Sequence, residues 1–97
     1  MYRVFSVPAE ARSKIDEILR DDRVGRQSIA VRDAEVLGFH GKGTLVIIEG
    51  EGAAIARADA LFEGVGTALP ANEAESVHRA LKSQEDSAAS GMGMIFG

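Results

Sequence analysis

The chain has 97 residues, of which 45% are hydrophobic, 27% charged and only 5% aromatic. These values are typical of one small globular domain with a core of Ala, Val, Ile and Leu. There is no cysteine, which excludes disulfides, thiolate metal sites and cysteine nucleophiles. The formal net charge of −4 argues against non-specific binding to nucleic acid.

The hydropathy pattern predicts a cytoplasmic protein without a membrane segment. Residues 1–7 pass directly into a strand pattern, and no charged segment followed by an apolar run resembles a signal peptide. No apolar run approaches the roughly 20 residues that a membrane helix needs. The absence of cysteine fits a reducing compartment.

The chain begins with a predicted strand and helix. Residues 2–7 are apolar and rich in β-forming side chains, and Pro8 ends this strand. Apolar residues then recur at helical spacing over residues 9–20, with charged residues between them. A polar turn follows over residues 21–25.

The middle of the chain predicts two strands joined by a glycine-rich connection. Residues 27–37 predict a long second strand with a bend or bulge near residues 32–34. Its charges are typical of a sheet edge. The glycines of residues 38–43 predict a hairpin connection. Residues 44–49 then form the third strand, which lacks the alternation of a half-exposed strand and is expected to be buried on both faces.

The last part predicts two more helices and a short strand. A helix is predicted over residues 53–63, and a strand over residues 67–69. Asn72 and Glu75 resemble a capping box at the start of a third helix, which is expected to fade by residue 87. Residues 88–97 are a tail rich in Gly and Met, which is either disordered or packed on a partner subunit.

The order β-α-β-β-α-β-α predicts an α+β fold, namely a ferredoxin-like sandwich. This fold has an antiparallel sheet of order 4-1-3-2, here with an extra C-terminal helix in a single domain over residues 1–87. Its two standard helices cover only one face of the sheet. We therefore expect either the third helix or a second copy of the protein to cover the other face, and we expect a homo-oligomer, a dimer or larger. The predicted interface consists of Leu45, Ile47, Met92, Met94 and Phe96.

Residues 44–62 resemble the second half of several ferredoxin-like families, including ACT-type amino-acid-sensing domains and bacterial microcompartment shell domains. The resemblance is generic and implies only the fold. The segment after the first strand lacks the glycine-bearing turn common in ACT domains and the phosphate-cradling loop of acylphosphatases. No single family is identified.

Two segments supply the candidate binding residues. Residues 1–32 carry a net charge of +2, whereas residues 33–97 carry −6. The positive segment is interpreted as either a solvated loop or a docking patch for an anion or a partner. In residues 38–43, the pattern Gly-x-x-Gly matches the backbone clamp of KH domains, although it joins two helices there. The candidate residues of the two segments are Arg20, Arg23, Arg26, Phe39, His40 and Lys42.

Other polar patterns are interpreted as structural. The glycine turn of residues 50–52 precedes a helix, but Glu49 and Glu51 would repel a phosphate there. His78 lies on an apolar helical stripe and is expected to be partly buried, and no histidine pair suggests a metal site.

The sequence therefore predicts a non-catalytic module that binds a small ligand or a protein at the sheet face or at a subunit interface. The alternative is a nucleic-acid-binding module that uses the basic region of residues 20–32 and the loop of residues 38–43. A small enzyme using His40 with a carboxylate supplied by the fold is the least favoured alternative. No cofactor and no metal are predicted.

Overall fold

The computed structural model describes the backbone of residues 1–96 and the side chains of residues 1–85. Two single turns of 3₁₀ helix, Ala9–Ala11 and Val24–Arg26, lie on either side of the first α-helix. The strands and α-helices are, in chain order, β1 (Tyr2–Val7), α1 (Ser13–Leu19), β2 (Ser28–Asp33), α2 (Ala34–Leu37), β3 (Thr44–Glu49), α3 (Gly52–Phe62), β4 (Thr67–Ala68) and α4 (Ala71–Phe96).

The four strands form one antiparallel sheet in the order β2-β3-β1-β4. The β3 strand lies between its two long neighbours, so that Glu49 is opposite both Tyr2 of β1 and Ser28 of β2. The β4 strand has only two residues and pairs with Phe5 and Ser6. The predicted α+β class with a four-stranded antiparallel sheet is confirmed.

The first face of the sheet packs against α1 and α3. Because side chains alternate along a strand, Phe5, Val46 and Ile48 all point to this face and contact the apolar stripes of the two helices. Phe5 stacks on Phe62 of α3 with ring centroids 4.2 Å apart. This is the larger of the two cores.

The second face is covered by α4. Its buried residues Ala74, Val77 and Leu81 pack on the strand residues that alternate with those of the first core. Leu45 and Ile47 are among these, with 0% and 2% of their surface exposed. The chain therefore buries these two predicted interface residues in its own second core.

The region after β2 also differs from the prediction. The strand ends at Asp33 and is followed by the single turn of α2, not by a bulged continuation to residue 37. Asp33 caps this turn by accepting a hydrogen bond from the backbone N–H of Glu35 at 3.0 Å. Gly38 ends it with φ of 87°, a left-handed conformation that favours glycine.

The α4 helix begins at Ala71 and extends beyond its predicted end near residue 87. On its surface, Arg79 Nη2 lies 2.7 Å from Oε1 of Glu75, four residues earlier in the helix. The proposed interface residues Met92, Met94 and Phe96, and the tail that contains them, lie outside the residues whose side chains are described. In the described part of the chain, no helix is both long and apolar enough to cross a membrane.

Candidate functional site

The segment from Asp33 to Gly43, here called the α2 loop, is held by several independent hydrogen bonds. The backbone N–H of Ala34 donates to the carbonyl of Gly43 at 2.9 Å, which closes the base of the loop. The backbone N–H of Phe39 donates to the carbonyl of Ala34 at 2.9 Å. Together with the Asp33 cap, these bonds fix the backbone of the loop at its start, middle and end.

The inner side of the α2 loop is anchored in the second core. Ala34 is fully buried, and Leu37 and Phe39 are partly buried against the same cluster. The candidate contact residue Phe39 is thus packed partly against the second core. Lys42 forms an ion pair with Glu73 of α4, since its Nζ lies 3.6 Å from Glu73 Oε2.

The outer side of the α2 loop carries an exposed apolar residue beside an exposed ionisable pair. Val36 is 63% exposed, and apart from Met1 it is the only large hydrophobic residue so exposed in the described part of the chain. His40 Nδ1 contacts Glu35 Oε2, with 81% and 58% of the two side chains exposed. The other oxygen of the Glu35 carboxylate accepts from the backbone N–H of Gly41 at 3.4 Å.

The contact between Glu35 and His40 escaped the sequence reasoning. Glu35 is five residues before His40, but an extended strand would have carried it away from the loop tip. The turn of α2 instead brings the Glu35 side chain back to His40. The signal that could have revealed it is the Asp-x-Glu pattern of residues 33–35, which is typical of a helix start because acidic residues there cap the chain and favour the first turn.

An open cavity of about 570 Å³ lies between the α2 loop and the ends of β1 and β4. Its polar lining includes Glu35, Lys42, Ser6 and Thr67. Ser6 Oγ donates to the carbonyl of Lys42 at 2.5 Å and so is already occupied within the chain. Among the residues whose side chains are described, no group of three potential ligands could hold a metal ion.

The basic segment does not form a continuous positive surface. Arg26 pairs with Asp22 at 3.3 Å, and Asp21 binds Arg57 of α3 at 3.1 Å. Hydrogen bonding from the backbone N–H of Val24, aided by Arg57 and opposed by desolvation, lowers the pKa of Asp21. Of the candidate arginines in this segment, Arg26 therefore already holds a carboxylate within the chain.

Two of the candidate arginines keep their charge available. Arg20 and Arg23 are exposed, and neither has a carboxylate within ion-pair distance among the described side chains. Arg23 and Arg26 line an open cavity of about 470 Å³, which also contains the acidic Asp22 and Glu51. This cavity and the cavity beside the α2 loop share no lining residue. The structure therefore does not bring the two groups of candidate residues together.

A second polar cluster joins α4 to the end of β3. His78 is 23% exposed, as its partly buried position predicted, and its Nε2 lies 3.2 Å from Glu49 Oε1. The ring of His78 stacks on Tyr2 with centroids 4.2 Å apart. The hydrogen bond with His78 lowers the pKa of Glu49, with further contributions from Lys82 and the amino terminus and an opposing one from desolvation. These contacts add a polar link to the apolar packing of α4 on the sheet.

No protein-family model matches this chain, and neither the curated proteins nor the solved structures yield a match. No relative therefore supplies a role for any of its residues. The geometry and charges of the α2 loop are the basis for assigning a function.

Proposed function

We propose that this protein is a cytoplasmic, non-catalytic binding module of the ferredoxin-like class that docks a protein partner through the α2 loop. The fold assignment is supported by the strand order, which read from β4 is 4-1-3-2, and by α1 and α3 on one face. The α4 helix is then the extra element, on the opposite face.

The observation that carries the proposal is the exposed apolar residue Val36 on a loop whose backbone is fixed by hydrogen bonds. The capped turn of α2 places Val36 on the solvent side, and the opposite side of this turn is buried in the second core. A surface loop that is already fixed loses little conformational entropy when a partner binds, which favours affinity. An apolar contact residue flanked by the ionisable pair of Glu35 and His40 has the arrangement of a small interface, with an apolar centre and a polar rim.

The chemistry around the loop favours a protein over a small ligand. Small-molecule sites are usually enclosed and mostly apolar, whereas the neighbouring cavity is open and lined by polar groups. Catalytic acids and bases are usually tuned by burial, whereas His40 and Glu35 are largely exposed. Nucleic-acid binding has less support than the sequence indicated, since Arg26 and Lys42 each hold a carboxylate.

Site-specific photocross-linking tests this proposal. A photoreactive amino acid replaces Val36 in one protein and the exposed Glu63 at the end of α3 in a matched control. In an extract of the source cells, we expect a discrete adduct from position 36 and none from position 63. Unlabelled natural protein should compete for this adduct.

The competitor variant Val36→Asp makes the test quantitative. It should compete about tenfold less well or worse, because a carboxylate at the centre of a small apolar contact is desolvated without a partner. Its melting temperature should match that of the natural protein, since Val36 is outside both cores. Equal adducts from positions 36 and 63, or equal competition by both proteins, would refute the α2 loop as the docking site.

A further inference from the structure

We propose that β2 pairs with β2 of a second copy of this chain to form a two-fold symmetric dimer with one continuous eight-stranded sheet. This inference is independent of the proposed role of the α2 loop. The β2 strand is at one edge of the sheet, and none of the described residues pairs with its outer side. It runs for six residues without proline, whereas the strand at the opposite edge has only two.

The register shows which backbone groups of β2 are free. The bond from the Ala34 N–H to the Gly43 carbonyl continues the pairing of β2 with β3. In an antiparallel ladder, residues that exchange both hydrogen bonds alternate with residues that exchange none. The even-numbered residues of β2 therefore bond to β3, and the backbone groups of Ile29 and Val31 point outward.

The outward groups are ready for a strand partner. The Val31 carbonyl accepts a hydrogen bond from Arg32 Nη1 at 3.0 Å, so a flexible side chain occupies it in the single chain. A backbone N–H from another strand would replace that bond in a regular ladder. Ile29 and Val31 are only partly buried against the first core, so a neighbouring strand would also cover apolar surface.

The side chains indicate a second copy as the occupant. If the two-fold axis passes through Ala30, Ile29 lies opposite Val31 of the second copy, and Ser28 lies opposite its Arg32. Apolar residues then meet on one face, and no like charges meet on the other. An axis through Val31 is less favourable because it would place Ile29 opposite Asp33, whose carboxylate caps α2. Two-fold dimers with self-complementary surfaces are the commonest assemblies of identical chains.

Sedimentation velocity of the full chain over a wide concentration range tests the dimer. We expect a monomer–dimer equilibrium in the natural protein and only monomer in Val31→Pro. Proline at position 31 removes an outward N–H that makes no bond to β3, so the ladder within the chain is retained. Hydrogen exchange should show the Ile29 and Val31 amides protected only at dimer concentrations, with the Ala30 amide protected throughout.

Charge substitutions at Ser28 test the register without depending on the folding of Val31→Pro. Ser28 is exposed in the single chain. Ser28→Arg should weaken the dimer, and Ser28→Glu should strengthen it, each by about two- to thirtyfold because the contact with Arg32 occurs twice. Glu49 of β3 lies opposite Ser28 within the chain, so each substitution also acts on the stability of the monomer. Melting temperatures measured at concentrations where the protein is monomeric report this effect separately. A natural protein that stays monomeric at its highest concentration, or a dimer insensitive to both Ser28 substitutions, would overturn the proposal.

Discussion

Shortening Leu81 tests whether α4 covers the second face of the sheet in solution. The Leu81 side chain is 4% exposed and packs in the second core with Leu45 and Ile47. Leu81→Ala removes three carbon atoms, at about 0.8 kcal/mol each for the lost burial, and leaves a cavity that adds to this cost. We expect a loss of about 3 kcal/mol. For a domain of this size, that corresponds to a drop in melting temperature of roughly 12–24 °C.

Circular dichroism with thermal and urea unfolding measures this loss, and the adjacent residue supplies a matched control. The Lys82 side chain is 52% exposed, and its Nζ lies 3.9 Å from Glu49 Oε1. Lys82→Ala should change the free energy of unfolding by less than about 0.5 kcal/mol. If Leu81→Ala were no more destabilising than Lys82→Ala, the helix would not be packed on the sheet, and the second face would again be a candidate interface.

Two further predictions concern Glu49, the last residue of β3, and Gly43, which precedes its first residue. The hydrogen bond with His78 lowers the pKa of Glu49 below its ordinary 4.5, so this contact contributes stability above that pH and loses it as pH falls through the folded-state pKa. Glu49→Gln should therefore lower the melting temperature at neutral pH but not in strong acid, and a difference independent of pH would contradict this. Gly43→Ala should lower the free energy of unfolding by at least twice the roughly 1 kcal/mol expected for Gly41→Ala. Both glycines have positive φ, but only at position 43 would a Cβ meet another group, 2.4 Å from the Val7 carbonyl oxygen; equal urea midpoints for the two variants would refute this.

Much of the core could be predicted because its pattern is local. The unbroken apolar run of β3 indicated that both faces of the sheet are covered, and the helical spacing of Ala74, Val77 and Leu81 indicated a buried stripe on α4. Both features depend only on the alternation of a strand and the period of a helix. The pairing of Glu75 with Arg79 on the surface of α4 follows from the same period.

The α2 loop could not be predicted because its local signals compete. Residues 33–37 contain a helix cap and apolar residues that also fit a strand, and a single helical turn is too short to show a period. Packing of Ala34 and Phe39 against the second core favours the turn. Once the turn forms, Glu35 meets His40, and Val36 faces solvent.

The sequence by itself determined the α+β class, the buried character of β3 and the amphipathic stripe of α4, because each depends on residues close together in the chain. Only the tertiary structure decided that this stripe covers the second face, where a partner subunit had been equally compatible with the pattern. A stripe shows that a surface must be buried but not what buries it. That depends on where the chain returns after β4, and here it places Leu45 and Ile47 inside the molecule and leaves the edge of β2 open.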